Sequence, residues 1–243
     1  MKKLLCWIAS VSGFAALFTL FIAGPLYRVE ILELSTAFLF MRWAAYIGIA
    51  AIVLVIIALI VLRPSANKHR IVLAVSLIFG FVAFYLPYEQ MQTAQSVPRI
   101  HDISTDTTNP PEFVAVAPLR ADARNPVEYA GPETAAQQLA AYPDIQTLRF
   151  SHPPQTVFEA ALTVVNRSGW ELVAAAANEG RIEATATTTW FGFKDDVVIR
   201  IHSEGSETLL DIRSKSRIGL SDVGANAARI RSFREAITAQ LGE

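Results

Sequence analysis

"RIEATATTTWFGFKDDVVIRIHSEGSETLLDIRSKSR", Arg181 to Arg217, decides the fold of the C-terminal half of this chain. Apolar and polar side chains alternate with the period of a strand that buries one face: Ile182, Ala184 and Ala186, then Val197, Ile199 and Ile201, then Leu210 and Ile212. The alternation breaks around Gly192 and at Glu204-Gly205, where turns of hairpin length fit. Three strands are therefore predicted, at residues 181–190, 196–203 and 208–217. A fourth, at 170–177, is set off by Asn178, Glu179 and Gly180. Short turns make the four an antiparallel meander. Glu183, Arg200, His202, Asp211, Arg213, Lys215 and Arg217 then share its other face, where exposed cross-strand ion pairs are worth about 0.2–1 kcal/mol each. That face is wet, covered by the preceding chain, or covered by a partner.

Working outward, residues 153–168 carry Phe158, Ala161, Leu162 and Val165 at i, i+3, i+4 and i+7, a helical stripe that Gly169 ends. Residues 221–241 close the chain as a second helix, with Val223, Ala227, Ile230, Ile237 and Leu241 on one side. The pattern predicts an α+β domain at 149–243, an antiparallel four-stranded meander with two helices packed on one face.

The N-terminal part obeys a different physics. The chain is 52% hydrophobic with mean hydropathy +0.35, high for a water-soluble protein, and the excess lies before residue 89. Runs at about 4–26, 43–62 and 71–88 are each apolar enough to be read as a membrane-spanning helix, the third being near the minimum length. A three-helix transmembrane region is predicted at 1–88, with the first helix retained because Phe21 stands where signal cleavage needs a small residue. Lys2, Lys3, Arg63, Lys68 and Arg70 would share one side, against Arg28 and Arg42 on the other, which are offset by Glu30 and Glu33. Cytoplasmic loops keep positive charge, so the N-terminus is expected in the cytoplasm and the α+β domain exported, in the periplasm or its equivalent, beyond an inner (cytoplasmic) membrane. Cys6 is the one cysteine and lies in the first run, so the exported part has no disulfide and no cysteine-based metal site. The intramembrane polar residues Ser10, Ser12, Thr19 and Ser76 are expected to bond to their own helix backbones.

Between the two parts, residues 89–148 hold seven of the twelve prolines, which rules out a long helix or a central strand. A partly ordered, extended arm is expected, with one short helix from Pro132 to about Ala141. Its "HDISTDTTNPPEF" (His101 to Phe113) could supply His101, Asp102 and Asp106 to a metal or His101, Asp102 and Ser104 to a triad. Neither spacing fits a known pattern, and turn chemistry is the stronger reading. This stretch, with "TTTWFGFKDDVVIRI" (Thr187 to Ile201) and "DIRSKSRIGLSDVGANAARI" (Asp211 to Ile230), resembles the domain of unknown function 1499 family over about 101–241. The resemblance implies a domain identity and brings no catalytic or binding residue with it.

Three groups of residues remain as candidates. Arg200, Asp211, Arg213, Arg217, Asp222, Asn226 and Arg229 form a polar cluster, read as a structural seam in which Asp222 and Arg229 fasten the last helix to the last strand. Trp190, Phe191 and Phe193 form an aromatic tip, expected to pack on the sheet rather than to touch lipid or a partner. Asp195 and Asp196 are read as turn acids whose side chains point apart. No nucleophile of recognised type, cofactor or metal site is predicted. The net charge of −1 gives no general attraction to nucleic acid. The reading is a membrane-anchored binding or scaffold protein of the cell envelope, in contact with lipid through three helices and with an envelope protein or lipid partner. The alternative is a hydrolase or transferase acting on an anionic envelope substrate through Asp195, Asp196, Asp222 and the arginines.

Overall fold

The structure is a computed structural model that describes residues 2–62 and 66–242; Arg63, counted above among the cytoplasmic cations, and Glu243 lie outside the described residues. The chain divides into two compact units. One holds the N-terminal chain to Thr93 together with Thr189–Gly192; the other holds Ala94–Thr188 and Phe193 onward.

The first unit is built on α1 (Lys2–Arg28), α2 (Leu34–Leu62) and α3 (Asn67–Ser96), each long and apolar enough to cross a membrane. The helices outrun the apolar stretches. α2 begins nine residues before Trp43, and α3 continues through Pro87 to Ser96, because charge ends a hydrophobic run without ending a helix and Glu, Gln, Met and Ala are good helix formers. Small residues let the helices approach closely. Ala9, Ala16, Ala37, Ala44, Ala51 and Ala58 are fully buried, and a Cβ at Gly13 or Gly48 would overlap the carbonyl oxygen of Ser76 or Gly80. Ser12 and Thr19 bond to their own helix, as expected, but Ser76 does not. Its hydroxyl donates to Ala9 O on α1 at 2.6 Å and accepts from Gly13 N at 3.1 Å, a polar link across the interface.

The aromatic tip departs from expectation. Trp190 and Phe191 belong to this helical unit and not to the sheet. Phe191 is buried against Tyr27 and Phe38, Trp190 Nε1 donates to Phe21 O at 3.1 Å, and Arg28 donates to Thr189 O at 2.7 Å. Phe193 lies in the other unit, where its N–H donates to Thr188 Oγ1 and its carbonyl accepts from Thr188 N, closing the hairpin.

The second unit contains the predicted meander and more. β3 (Glu171–Ala176), β4 (Arg181–Thr187), β5 (Lys194–Glu204) and β6 (Glu207–Ser216) pair antiparallel in sequence order, with a bulge between Leu172 and Ala174. Two three-residue strands, β1 (Asp102–Ser104) and β2 (Leu148–Phe150), both add to the outer edge of β6. α5 (Pro154–Arg167) and α6 (Ala225–Leu241) cover one sheet face, and α4 (Pro132–Ala141) lies in the arm. Val157, Phe158, Ala161, Val164 and Val165 of α5 and Ala227, Ile230, Phe233 and Ile237 of α6 enclose Ile182, Val197, Ile199, Leu210 and Ile212. Each large aliphatic buried here contributes roughly 1.5–3 kcal/mol relative to exposure. α6 starts four residues later than predicted, because Val223 and Gly224 both take positive φ; Val223 is not part of the core cluster, and Phe233 is.

The opposite sheet face is covered by the chain from Thr105 to Ala130, which packs Phe113 and Val116 on Val198. The arm is therefore part of the second unit and supplies one of its layers.

Candidate functional site

The side of the sheet facing the arm carries an ordered set of buried ions. On β1, Asp102 is fully buried and accepts two parallel bonds of 2.9 Å from Arg213 Nε and Nη2, a further 3.0 Å contact from Lys215 Nζ, and the backbone N–H of Ala130. The antiparallel register brings these side chains within reach, with Asp102 opposite Lys215 and diagonal to Arg213, which lies opposite Ser104. Arg213 is further held by the carbonyls of Pro111 and Val127 and sits over the rings of Phe113 and Tyr129. On β5, Asp196 receives Arg120 from the arm at 2.6 Å, a bidentate Arg217 at 2.8 Å on each oxygen, and Thr185 Oγ1 at 2.7 Å. Asp211 takes Thr105, Thr147 and Arg200, and Arg200 also reaches Asp106. Glu183 is fully buried and accepts the backbone N–H groups of Val114, Ala115 and Val116, besides pairing with Arg181. Burying such groups is costly in isolation; paired and hydrogen-bonded they are tolerated, although Arg120 Nε and Arg200 Nε stay without a partner, and losing an ion-pair partner leaves the other stranded.

A smaller network faces the helices. Ser214 Oγ donates to Asn226 Oδ1 at 2.6 Å, and Asn226 Nδ2 donates to His101 O and Ser216 Oγ. Arg229 reaches Ser214, Asn226 and, at 2.7 Å, Asp195. Asp222 does not pair with Arg229. Its two oxygens accept Gly224 N and Asn226 N at 2.8 and 2.7 Å, capping the turn that leads into α6, and burial raises its pKa against those two bonds. The expected Asp222–Arg229 seam is thus an Asp195–Arg229 seam. Asp195 and Asp196 do point to opposite faces, but they are buried strand residues rather than turn acids.

The seven residues of the polar cluster fall on two sides of the sheet: Arg200, Asp211, Arg213 and Arg217 under the arm, and Asn226 and Arg229 under α6, with Asp222 bound to Asn226 N at the start of that helix. Among the described residues, neither the cavity at Ile145 and Arg231 nor the groove at Arg99 and His101 is lined by Asp211 or Asp222. Sequence reasoning missed Arg120, and it did not foresee that Asp102, read as turn chemistry, and Glu183, placed on this face, would join the arm to the sheet. Glu183 and Lys215 carried a signal, since strand alternation put them on this face; Arg120 had none. In "HDISTDTTNPPEF", Asp106 does accept Thr108 N and Asn109 N in a turn, whereas Asp102 is an ion-pair hub. Ser104 Oγ donates to Asp106 O, so no triad forms. No group of three or more His, Cys, Asp or Glu among the described residues could hold a metal ion.

Four polar atoms among the described residues are buried without a partner, including His101 Nδ1 and Tyr129 Oη. Burial lowers the His101 pKa, helped by the nearby Lys215 ammonium and opposed by Asp102. Burial and the Asp102 charge push the Tyr129 phenol up to about 12. His101 borders an open groove together with Arg99, Ile100, Ala130, Thr134, Gln137 and Leu220.

Residues 102–237 match the family described as protein of unknown function (DUF1499). The chain belongs to this family. No curated protein matches the chain. The DUF1499 region opens at Asp102 and ends at Ile237 in α6, so it includes Arg120 and Asp106 of the arm as well as the carboxylates and arginines they meet on the sheet. The three apolar helices all begin before it.

Proposed function

We propose that this DUF1499 chain is a membrane-anchored binding or scaffold protein of the cell envelope, with the α+β domain held outside the cytoplasmic membrane by three spans. The observation that carries the reading is the engagement of the acids a hydrolase or transferase would need. Asp195 is held by Arg229, Asp196 by Arg120 and Arg217, and Asp222 by backbone N–H groups. Groups satisfied by each other stabilise a fold; a general base or an anion clamp must be reachable by substrate. An open groove of the domain lies elsewhere, at Arg99 and His101. The orientation is supported by the excess of Lys and Arg at the N-terminus and over residues 63–70 compared with residues 27–42.

Two measurements test the reading. Single cysteines placed at Asn67 and Gly205 in a Cys6→Ser background should react with a membrane-impermeant reagent on opposite sides of the membrane, Gly205 outside. Labelling on the same side would overturn the topology. Purification of the full chain in mild detergent, with identification of bound lipids and proteins, should yield a species that Arg99→Gln loses while Arg167→Gln, an exposed arginine outside the groove lining, retains it. Identical profiles for all three proteins would count against a binding role for this surface.

A further inference from the structure

The groove beside the start of the domain combines three features that the internal networks do not use. Arg99 has no carboxylate or carbonyl partner among the described residues, in contrast to the arginines under the arm. His101 lies next to it along the groove, with Nδ1 buried and unbonded. Leu220 on the rim is 71% exposed, more than any other large apolar side chain among the described residues. The residues that line the groove include no acid. A guanidinium, an imidazole that can offer an N–H, and adjacent apolar surface complement a phosphate that carries an apolar body. The chain supplies the source: Arg99 stands three residues, at most about 10 Å, beyond Ser96, where α3 ends.

We propose that this groove binds the phosphate of an anionic phospholipid, with Arg99 as the charge partner, His101 Nδ1 as a hydrogen-bond partner and Leu220 against the acyl or glycerol portion. This rests on the binding role proposed above and names its ligand class. A neutral imidazole has one N–H to give, and a phosphate oxygen is an acceptor that would end the isolation of the ring nitrogen.

The test uses the full chain in nanodiscs or a non-ionic detergent, titrated with short-chain phosphatidylglycerol, with phosphatidylcholine as the zwitterionic control and inorganic phosphate as competitor. Binding is read by native mass spectrometry and by the chemical shift of the His101 ring. The account expects phosphatidylglycerol to bind at least tenfold more tightly than phosphatidylcholine and to move the His101 resonance. Arg99→Gln should lower its affinity tenfold or more, and Leu220→Ala should weaken the lipid without affecting inorganic phosphate. Both substitutions are at the surface, and unchanged melting temperatures check that the fold persists. Phosphate binding without lipid binding, equal affinity for the two lipids, or wild-type affinity in folded Arg99→Gln would each overturn the proposal. None of these results bears on membrane orientation or on capture of a protein partner, so the broader binding role would stand or fall separately.

Discussion

Arg229 on α6 meets Asp195 at the start of β5 through a 2.7 Å bond, with both side chains largely withdrawn from solvent. The same guanidinium bonds Ser214 and Asn226, so it ties the last helix to two strands at once. Asp195→Ala and Arg229→Ala should each lower the melting temperature, and the double mutant should lose less than their sum, with a coupling of about 0.5–3 kcal/mol. Asp222→Ala should cost about 0.5–2 kcal/mol as the loss of a cap, and its coupling to Arg229→Ala, carried only through their shared neighbour Asn226, should be smaller than the coupling of Asp195 to Arg229. Coupling of Arg229 to Asp222 instead of Asp195 would contradict this assignment.

Tyr129 keeps a buried hydroxyl with no bonding partner, while its ring packs against Arg213. Removing an unsatisfied buried polar atom relieves its desolvation cost, which is about 1–3 kcal/mol at most. Tyr129→Phe should therefore leave thermal stability unchanged or raise it. A fall of more than about 1 kcal/mol would mean that the hydroxyl has a partner or that the substitution disturbs the ring's packing.

His101 gives the domain a defined response to acid. Its pKa in the folded state lies below the ordinary 6.5, so between these two values the unfolded chain binds more protons than the folded one, and stability rises with pH. The contribution is complete above pH 6.5 and is lost as pH falls through the folded value. Thermal melts at pH 7 and pH 5 should show a smaller acid-induced drop in His101→Asn than in the wild type. An equal drop in both would place the responsible group elsewhere.

The meander and its inward residues were legible from sequence because strand alternation has a period of two and the turns are marked by Gly. The helical stripe around Phe158 was legible for the same kind of reason. What could not be read was long-range pairing. β1 and β2 are three residues each in a proline-rich setting, too short to show a period, and Arg120 finds Asp196 from 76 positions away. The tip was misread because strand pattern says nothing about what a hairpin end will touch. The partner of Arg229 was misassigned because helical spacing put Asp222 nearby, while the positive φ at Val223 and Gly224 turned its carboxylate to the backbone.

Because the arm supplies β1, Arg120 and the N–H groups bound by Glu183, we expect a fragment of residues 94–242 to melt cooperatively. A fragment of 144–242 keeps the meander and both helices but strands Glu183, Asp196 and Arg213 without arm partners, and it should lack a cooperative transition. Circular dichroism of the two fragments checks this, and equal cooperativity would show that the arm is dispensable.

The central claim is that the charged face of the sheet is sealed by the arm as structure, and the pair that carries it is Arg120 with Asp196, whose side chains are 1% and 0% exposed. A double-mutant cycle on Arg120→Met and Asp196→Asn, read by thermal and denaturant unfolding of the full chain in detergent, measures it directly. Removing one partner of a buried ion pair costs about 3–5 kcal/mol, so each single variant should be strongly destabilised and the double variant less so than the sum. Single variants that stay folded with unchanged or higher stability, and no coupling between them, would mean that these charges are held ready for a ligand, contradicting the account.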